Sequence, residues 1–242
     1  MKLKTLTIAA LLGMAATVAQ AALVTITNPT QLDFSGDFVY AVSFGALGTT
    51  TVGDATFTGV TTVTTGTGSL NSAPVGVSAT GFNVNTTWIG ASNLGSSSDA
   101  NGLETVMSSI MWSSGLNPGA INAAVTTGTQ YRLQLLFSEG CCNNRHFDVD
   151  VEAGLLTQEI QGTLVGGSVW QSSSTQGYAL SLDFTASDSL VNIVLSRHTP
   201  GDTNYHISGF TLERLSTVPE PATLALLGLG LAGLAATRGR KL

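Results

Sequence analysis

The chain has 242 residues, 28 of them glycine, with only 10% charged residues and a mean hydropathy of +0.29. Disorder needs low hydrophobicity and high net charge, so a folded chain with room for one sizeable core is implied. Between residues 22 and 217 there is no lysine, and Arg132, Arg145, Arg197 and Arg214 stand against 14 acids, a net charge of −10. Such a surface repels phosphate backbones, which excludes sequence-independent nucleic-acid binding.

The first element is a secretory signal. Lys2 and Lys4 form a positive n-region, Leu6 to Ala16 an apolar stretch too short to span a bilayer, and Ala19-Gln20-Ala21 a small-x-small cleavage site. Signal peptidase is expected to cut after Ala21, so that the mature chain begins Ala22-Leu23-Val24.

Residues 22–217 read as one all-β domain, an antiparallel β-sandwich of jelly-roll type with one short helix. The clearest strand is Tyr131 to Phe137, whose odd positions are all apolar, which leaves Gln134 on the solvent face. Phe147, Val149 and Val151 alternate with Asp148, Asp150 and Glu152, while Leu180, Leu182 and Phe184, then Val191, Ile193 and Leu195, repeat the pattern. Further strands are predicted near 23–27, 38–44, 55–60, 80–85, 121–126, 155–160 and 205–214, with turn residues such as Asn117-Pro118-Gly119 and Pro200-Gly201-Asp202 between them. Thr61 to Ser78 reads as a long surface excursion. A helix is predicted over Leu103 to Met111, capped by Asp99 or Asn101, with Leu103, Val106, Met107 and Ile110 on one face and Trp112 beneath it. Its expected place is one end of the sandwich.

The last element begins at residue 218. Val218-Pro219-Glu220-Pro221 precedes an apolar run, Ala222 to Thr237, and a basic end at 238–242 containing Arg238, Arg240 and Lys241. Sixteen helical residues reach about 24 Å, short of a hydrocarbon core of about 30 Å, and the basic end keeps residues 22–217 on the far side of the membrane. This order of parts resembles a PEP-CTERM sorting domain. The resemblance implies a transmembrane sorting helix, processing by an exosortase, and residence in the cell envelope, at the cell surface or in an exopolysaccharide matrix after export across the inner membrane. Gly228, Gly230 and Gly233 match a dinucleotide fingerprint inside this run. The match is a decoy, because the fingerprint needs a preceding strand and an acid about 20 residues on.

A second resemblance concerns the middle of the chain. Gln130 to Glu139 with Arg145 to Val149, Phe38 to Gly45, and Ile207 to Leu212 resemble strands of malectin-like and galactose-binding-like jelly rolls. That resemblance implies carbohydrate binding on loops at one end.

The candidate chemistry is sparse. Asp148, Asp150 and Glu152 sit two apart with apolar residues between them, which places them on the solvated face of a strand and not on a calcium-binding turn. A single structural calcium at a sandwich edge stays open; no other cofactor is expected. Adjacent Cys141 and Cys142 have Cα atoms about 3.8 Å apart, below the usual disulfide range, so the readings are a strained vicinal bridge, spare thiols or a link between chains. Two adjacent thiols and three scattered histidines do not make a zinc site. Neither a nucleophile elbow nor a zincin motif occurs, so the reading is non-enzymatic, with a polysaccharide-active hydrolase as the third alternative. The candidate ligand loop comprises Cys141, Cys142, Arg145, Trp170, Tyr178, Asn204 and Tyr205, aromatic faces and polar groups suited to pyranose rings. The expected partner is a polysaccharide, and the alternative is an adhesive or structural protein that binds other proteins.

Overall fold

The computed structural model describes residues 22–62, 70–88, 90–138, 146–152, 156–161, 177–198 and 204–216. The signal segment, the sorting segment, Cys141, Cys142, Arg145 and Trp170 lie outside them.

The strands are β1 (Ala22–Ile26), β2 (Asp37–Phe44), β3 (Thr49–Val52), β4 (Ala55–Thr62), β5 (Leu70–Asn71), β6 (Val77–Thr80), β7 (Asn83–Asn85), β8 (Ile110–Ser113), β9 (Gly119–Ala124), β10 (Gln130–Phe137), β11 (His146–Val151), β12 (Leu156–Gln161), β13 (Gly177–Thr185), β14 (Leu190–Arg197), β15 (Tyr205–Ile207) and β16 (Gly209–Arg214). Among the described residues one α-helix, α1 (Ser98–Met107), lies between β7 and β8, and a short 3-10 turn covers Pro29–Gln31. The larger sheet has eight strands in the order β1-β13-β10-β16-β2-β4-β3, with β5 beside β4. A five-stranded sheet, β12-β11-β14-β9-β6, packs across from it. All pairs are antiparallel except β2 with β4.

Alternation builds the core between these sheets. Tyr131, Leu133, Leu135 and Phe137 of β10, Leu180 and Leu182 of β13, and Phe210 and Leu212 of β16 meet Phe147, Val149 and Val151 of β11 and Val191, Ile193 and Leu195 of β14 in one buried cluster. A three-stranded sheet, β15-β8-β7, closes one end, with Met111, Tyr205 and Ile207 in the same cluster.

The helix differs from expectation. Its N-cap is Ser97, whose side chain accepts from Ala100 N at 3.1 Å, and Asp99 in the first turn instead accepts from Gly53 N at 3.0 Å. It ends at Met107, because Ile110 and Met111 are needed in β8, and Trp112 sits in β8 opposite Asn83 and His206. It also does not plug an end. Leu103, Val106 and Met107 lie with Leu136, Ala179, Ala41 and Phe57 in a second buried cluster on the outer face of the large sheet. The carbonyls of Val106 and Met107, exposed by the helix's C-terminus, accept from the hydroxyls of Ser43 (3.5 Å) and Ser138 (2.6 Å).

Two further corrections follow from that outer layer and from the sheet partners. Gln134 is not on a solvent face: it is buried, accepts from Asp33 N at 3.1 Å, and donates to Asp33 O at 2.6 Å and Thr211 Oγ1 at 3.0 Å. The span expected as a surface excursion, Thr61 to Ser78, contains the end of β4, all of β5 and the start of β6, and β6 is an edge strand of the second sheet. The expected strands 80–85 and 205–214 are each split, the latter at Ser208, whose N donates to Leu136 O and whose O accepts from Phe44 N, both at 2.8 Å.

A charged clasp holds the 33–37 segment to this outer face. Arg132 meets Asp183 with two bonds, 2.8 and 3.1 Å, and Asp33 at 2.5 Å, and lies 3.8 Å from Glu213. Glu213 is only 7% exposed and packs against Gly36, whose φ of +143° and lack of a side chain permit the approach. The Ser35 hydroxyl, together with Arg132, holds the Asp33 carboxyl low, whereas burial and then the Asp33 charge push that of Glu213 up.

Two outcomes are expected. Leu135→Asp unfolds the domain by placing an unpaired carboxylate in the core, and Gln134→Asp lowers stability by about 1–3 kcal/mol through its lost bonds, both read from urea denaturation. Because Glu213 binds its proton more tightly folded than unfolded, its contribution to stability falls as pH rises from about 4.5 through its raised folded value. Glu213→Gln should therefore melt above the parent at pH 7, with the gap closing toward pH 4.5 in a series of thermal melts.

Candidate functional site

The most structured constellation lies at the end of the sandwich where β10 and β14 finish and β11 begins. Phe137 and Phe147 place their rings 6.0 Å apart, and buried His206 meets Phe147 edge-on at 5.3 Å. Half-buried Trp88 lies 6.3 Å from His206, and its indole Nε1–H donates to Ser138 O at 2.9 Å. On the opposite face of β11, His146 and His198 stack 4.0 Å apart at 18°, and His198 Nδ1 lies 2.9 Å from Asp148 Oδ1. Arg197 donates to Ser114 O. The three histidines, scattered in sequence, thus gather at one end and divide between the two faces of one sheet. A signal for this existed in the sequence: His146 opens one strand and His198 follows another that the alternation makes its antiparallel partner.

Strand direction also gathers the candidate loop residues. Segment 139–145 is flanked by Ser138 and His146, segment 162–176 by Gln161 and Gly177, and segment 199–203 by His198 and Asn204. All six flanking residues belong to this histidine end, given the registers His146↔Gln161, Ile26↔Gly177 and Phe147↔Arg197. Cys141, Cys142, Arg145 and Trp170 lie outside the described residues, within those segments. Asn204 is half-buried at the start of β15.

Tyr178 and Tyr205 correct the expectation of a tyrosine rim. They are 1% and 0% exposed, in β13 and β15, and belong to the core. The Tyr205 hydroxyl donates to Asn117 O at 2.7 Å, and burial pushes the Tyr178 hydroxyl up to about 12. Of the three alternating acids, Asp148 is engaged by His198, while Glu152 has left the strand at φ +53° and its carboxyl is pushed up by burial. Among the described residues, no three or more His, Cys, Asp or Glu side chains are grouped to hold a metal ion. No helix among them is long and apolar enough to cross a membrane. A shallow depression of about 490 Å³ beside α1, lined by Gly90, Asn101, Glu104 and Thr105, is a different matter, since Glu104 serves the fold there by accepting from Leu94 N at 2.7 Å.

The fold and the C-terminal motif together define an exported, antiparallel β-sandwich protein with a C-terminal sorting signal. Residues 217–241 match the PEP-CTERM protein-sorting motif, which marks the chain as exosortase-processed. No curated protein matches the chain. Solved structures similar in fold include the ANX1 ectodomain from Arabidopsis thaliana (11% identity, 76% of this chain, 42% of that one, TM-score 0.48) and the ANX2 ectodomain from the same plant (13%, 76%, 52%, 0.49). A Bacteroides uniformis beta-glucuronidase is similar over 73% of this chain and 18% of its own, at 12% identity and a TM-score of 0.47. The chain thus spans about half or less of each of these proteins, and such distant likeness carries no argument about ligand or activity.

The assignment of the tyrosines to the core has a direct check. Tyr205→Phe should cost about 0.5–1.5 kcal/mol in chemical denaturation by leaving Asn117 O without its donor, and Tyr178→Phe should keep the ring packing.

Proposed function

We propose that the protein is a non-catalytic carbohydrate-binding module of the envelope or biofilm matrix, carried there by its sorting signal, with the histidine end as its binding end. The single observation that supports this reading most is that the described residues flanking segments 139–145, 162–176 and 199–203 all lie at that end, beside the histidine pair; the first of these segments carries Cys141, Cys142 and Arg145 and the second Trp170. Loops on a rigid sheet end can offer aromatic faces and hydrogen-bond donors to a sugar without moving the core. Arg145 supplies a positive charge in a domain of net −10, which suits a neutral or acidic polysaccharide.

A second reading has its own support. Leu47 and Leu116, 83% and 81% exposed, lie at the same end, and apolar groups of that size favour a protein partner. A glycan array probed with the mature protein separates the two, since binding to defined polysaccharides supports the first and a uniformly blank array the second. On a polysaccharide that binds, Arg145→Ala should weaken retention by about 1–3 kcal/mol with the melting temperature nearly unchanged. A lower melting temperature with retention intact would make Arg145 a structural residue.

A further inference from the structure

The described chain begins on a strand that runs toward the histidine end and finishes at the end opposite the histidines. In β1, Ala22 is opposite Ser181 and Ile26 opposite Gly177, so the strand runs toward the histidine end. β16 finishes at Arg214 beside Tyr131, and Leu215 N donates to Gln130 O, the first residue of β10, at 2.9 Å. From Ser216 the apolar run at Ala222 is six residues on, a reach of at most about 21 Å.

The same end exposes two large apolar side chains, Val75 at 98% and Leu190 at 47%. They are neighbours through Ala124, which is opposite Leu190 in the sheet and whose N donates to Gly76 O at 2.9 Å. Their exposure is built into the backbone. Tyr40 donates to Val75 O at 3.3 Å, and Gly76, at φ +95°, makes a turn where a side chain would strike the Tyr40 hydroxyl. Water gains nothing from a valine held out in this way, whereas a lipid interface does.

We propose that this tether end rests on the lipid bilayer while the sorting segment is in the membrane, with Val75 and Leu190 entering the interface and the histidine end facing outward. Asp37, Glu152 and Asp188 lie at the same end with Arg214, which pairs with Asp37 at 3.3 Å, so the acids outnumber the cation and a zwitterionic surface suits the contact better than an anionic one. β10 alone separates the two ends by about 25 Å, enough to hold the histidine end clear of the headgroups. The proposal rests on the membrane entry of residues 222–237 and is independent of the glycan reading.

The test uses the full chain in phosphatidylcholine vesicles containing brominated lipid. A bimane label is placed in turn at Val75→Cys, Leu190→Cys, Leu47→Cys and Leu116→Cys, with Cys141 and Cys142 changed to serine. Quenching should be at least about twofold stronger at 75 and 190 than at 47 and 116. Hydrogen exchange on the unmodified chain provides a reading free of the cysteine changes, with vesicle-dependent protection expected at 73–77 and 188–190 but not at 114–117. Quenching that is equal at all four sites, absent from all four, or stronger at 116 overturns the orientation. A chain that fails to float with the vesicles overturns the membrane entry on which it rests.

Discussion

Everything in this domain depends on β10 being buried on both faces. A strand with Tyr131, Leu133, Leu135 and Phe137 on one side needs a second sheet, and it has one. Leu136 on the other side needs cover too, and α1 with the 32–34 segment supplies it. From that second demand follow the placement of the helix, the burial of Gln134, and the Arg132 clasp that pins the crossing segment down. The protein is therefore a sandwich with a third partial layer, in which α1 adds apolar cover and the crossing segment adds both apolar side chains, Leu32 and Phe34, and the polar contacts of Asp33.

Inner-face alternation was legible in the sequence because a period of two is a strong signal when every odd position is apolar. The outer layer was not, although Leu136 interrupting the pattern was its one trace. A glutamine looks solvated until a backbone 101 residues away, at Asp33, uses both ends of its amide. The helix was displaced by several residues because three consecutive serines, Ser96 to Ser98, mark its start, and only the geometry at Ser97 decides which of them caps. Tyr178 and Tyr205 carry no local mark that separates core from rim, and the partner of the Tyr205 hydroxyl is 88 residues distant. The histidine end was half-legible: its loop residues could be grouped by connectivity, whereas the stack of His146 on His198 needed the strand register.

The distribution of polar groups fits a division of labour along the strands. At the histidine end, polar contacts link neighbouring segments, as Trp88 does with Ser138 and Arg197 with Ser114, so that the frame under the loops is fixed. Ser138 joins this frame to the outer layer, since its carbonyl holds Trp88 while its hydroxyl holds the end of α1. The clasp is a denser electrostatic arrangement, one arginine shared among three acids, and it fixes the segment that leads into β2.

The position of β16 has a mechanical side. The strand that runs into the sorting segment is an inner strand of the large sheet, with β10 on one side and β2 on the other. A pull transmitted along it acts parallel to the strand and loads the rungs of both antiparallel ladders together, because their hydrogen bonds lie across the direction of force. Had the chain left from an edge strand such as β1, a sideways pull could have peeled one ladder rung by rung. A domain held at a surface under flow is thus gripped by the part of its sheet that shears last.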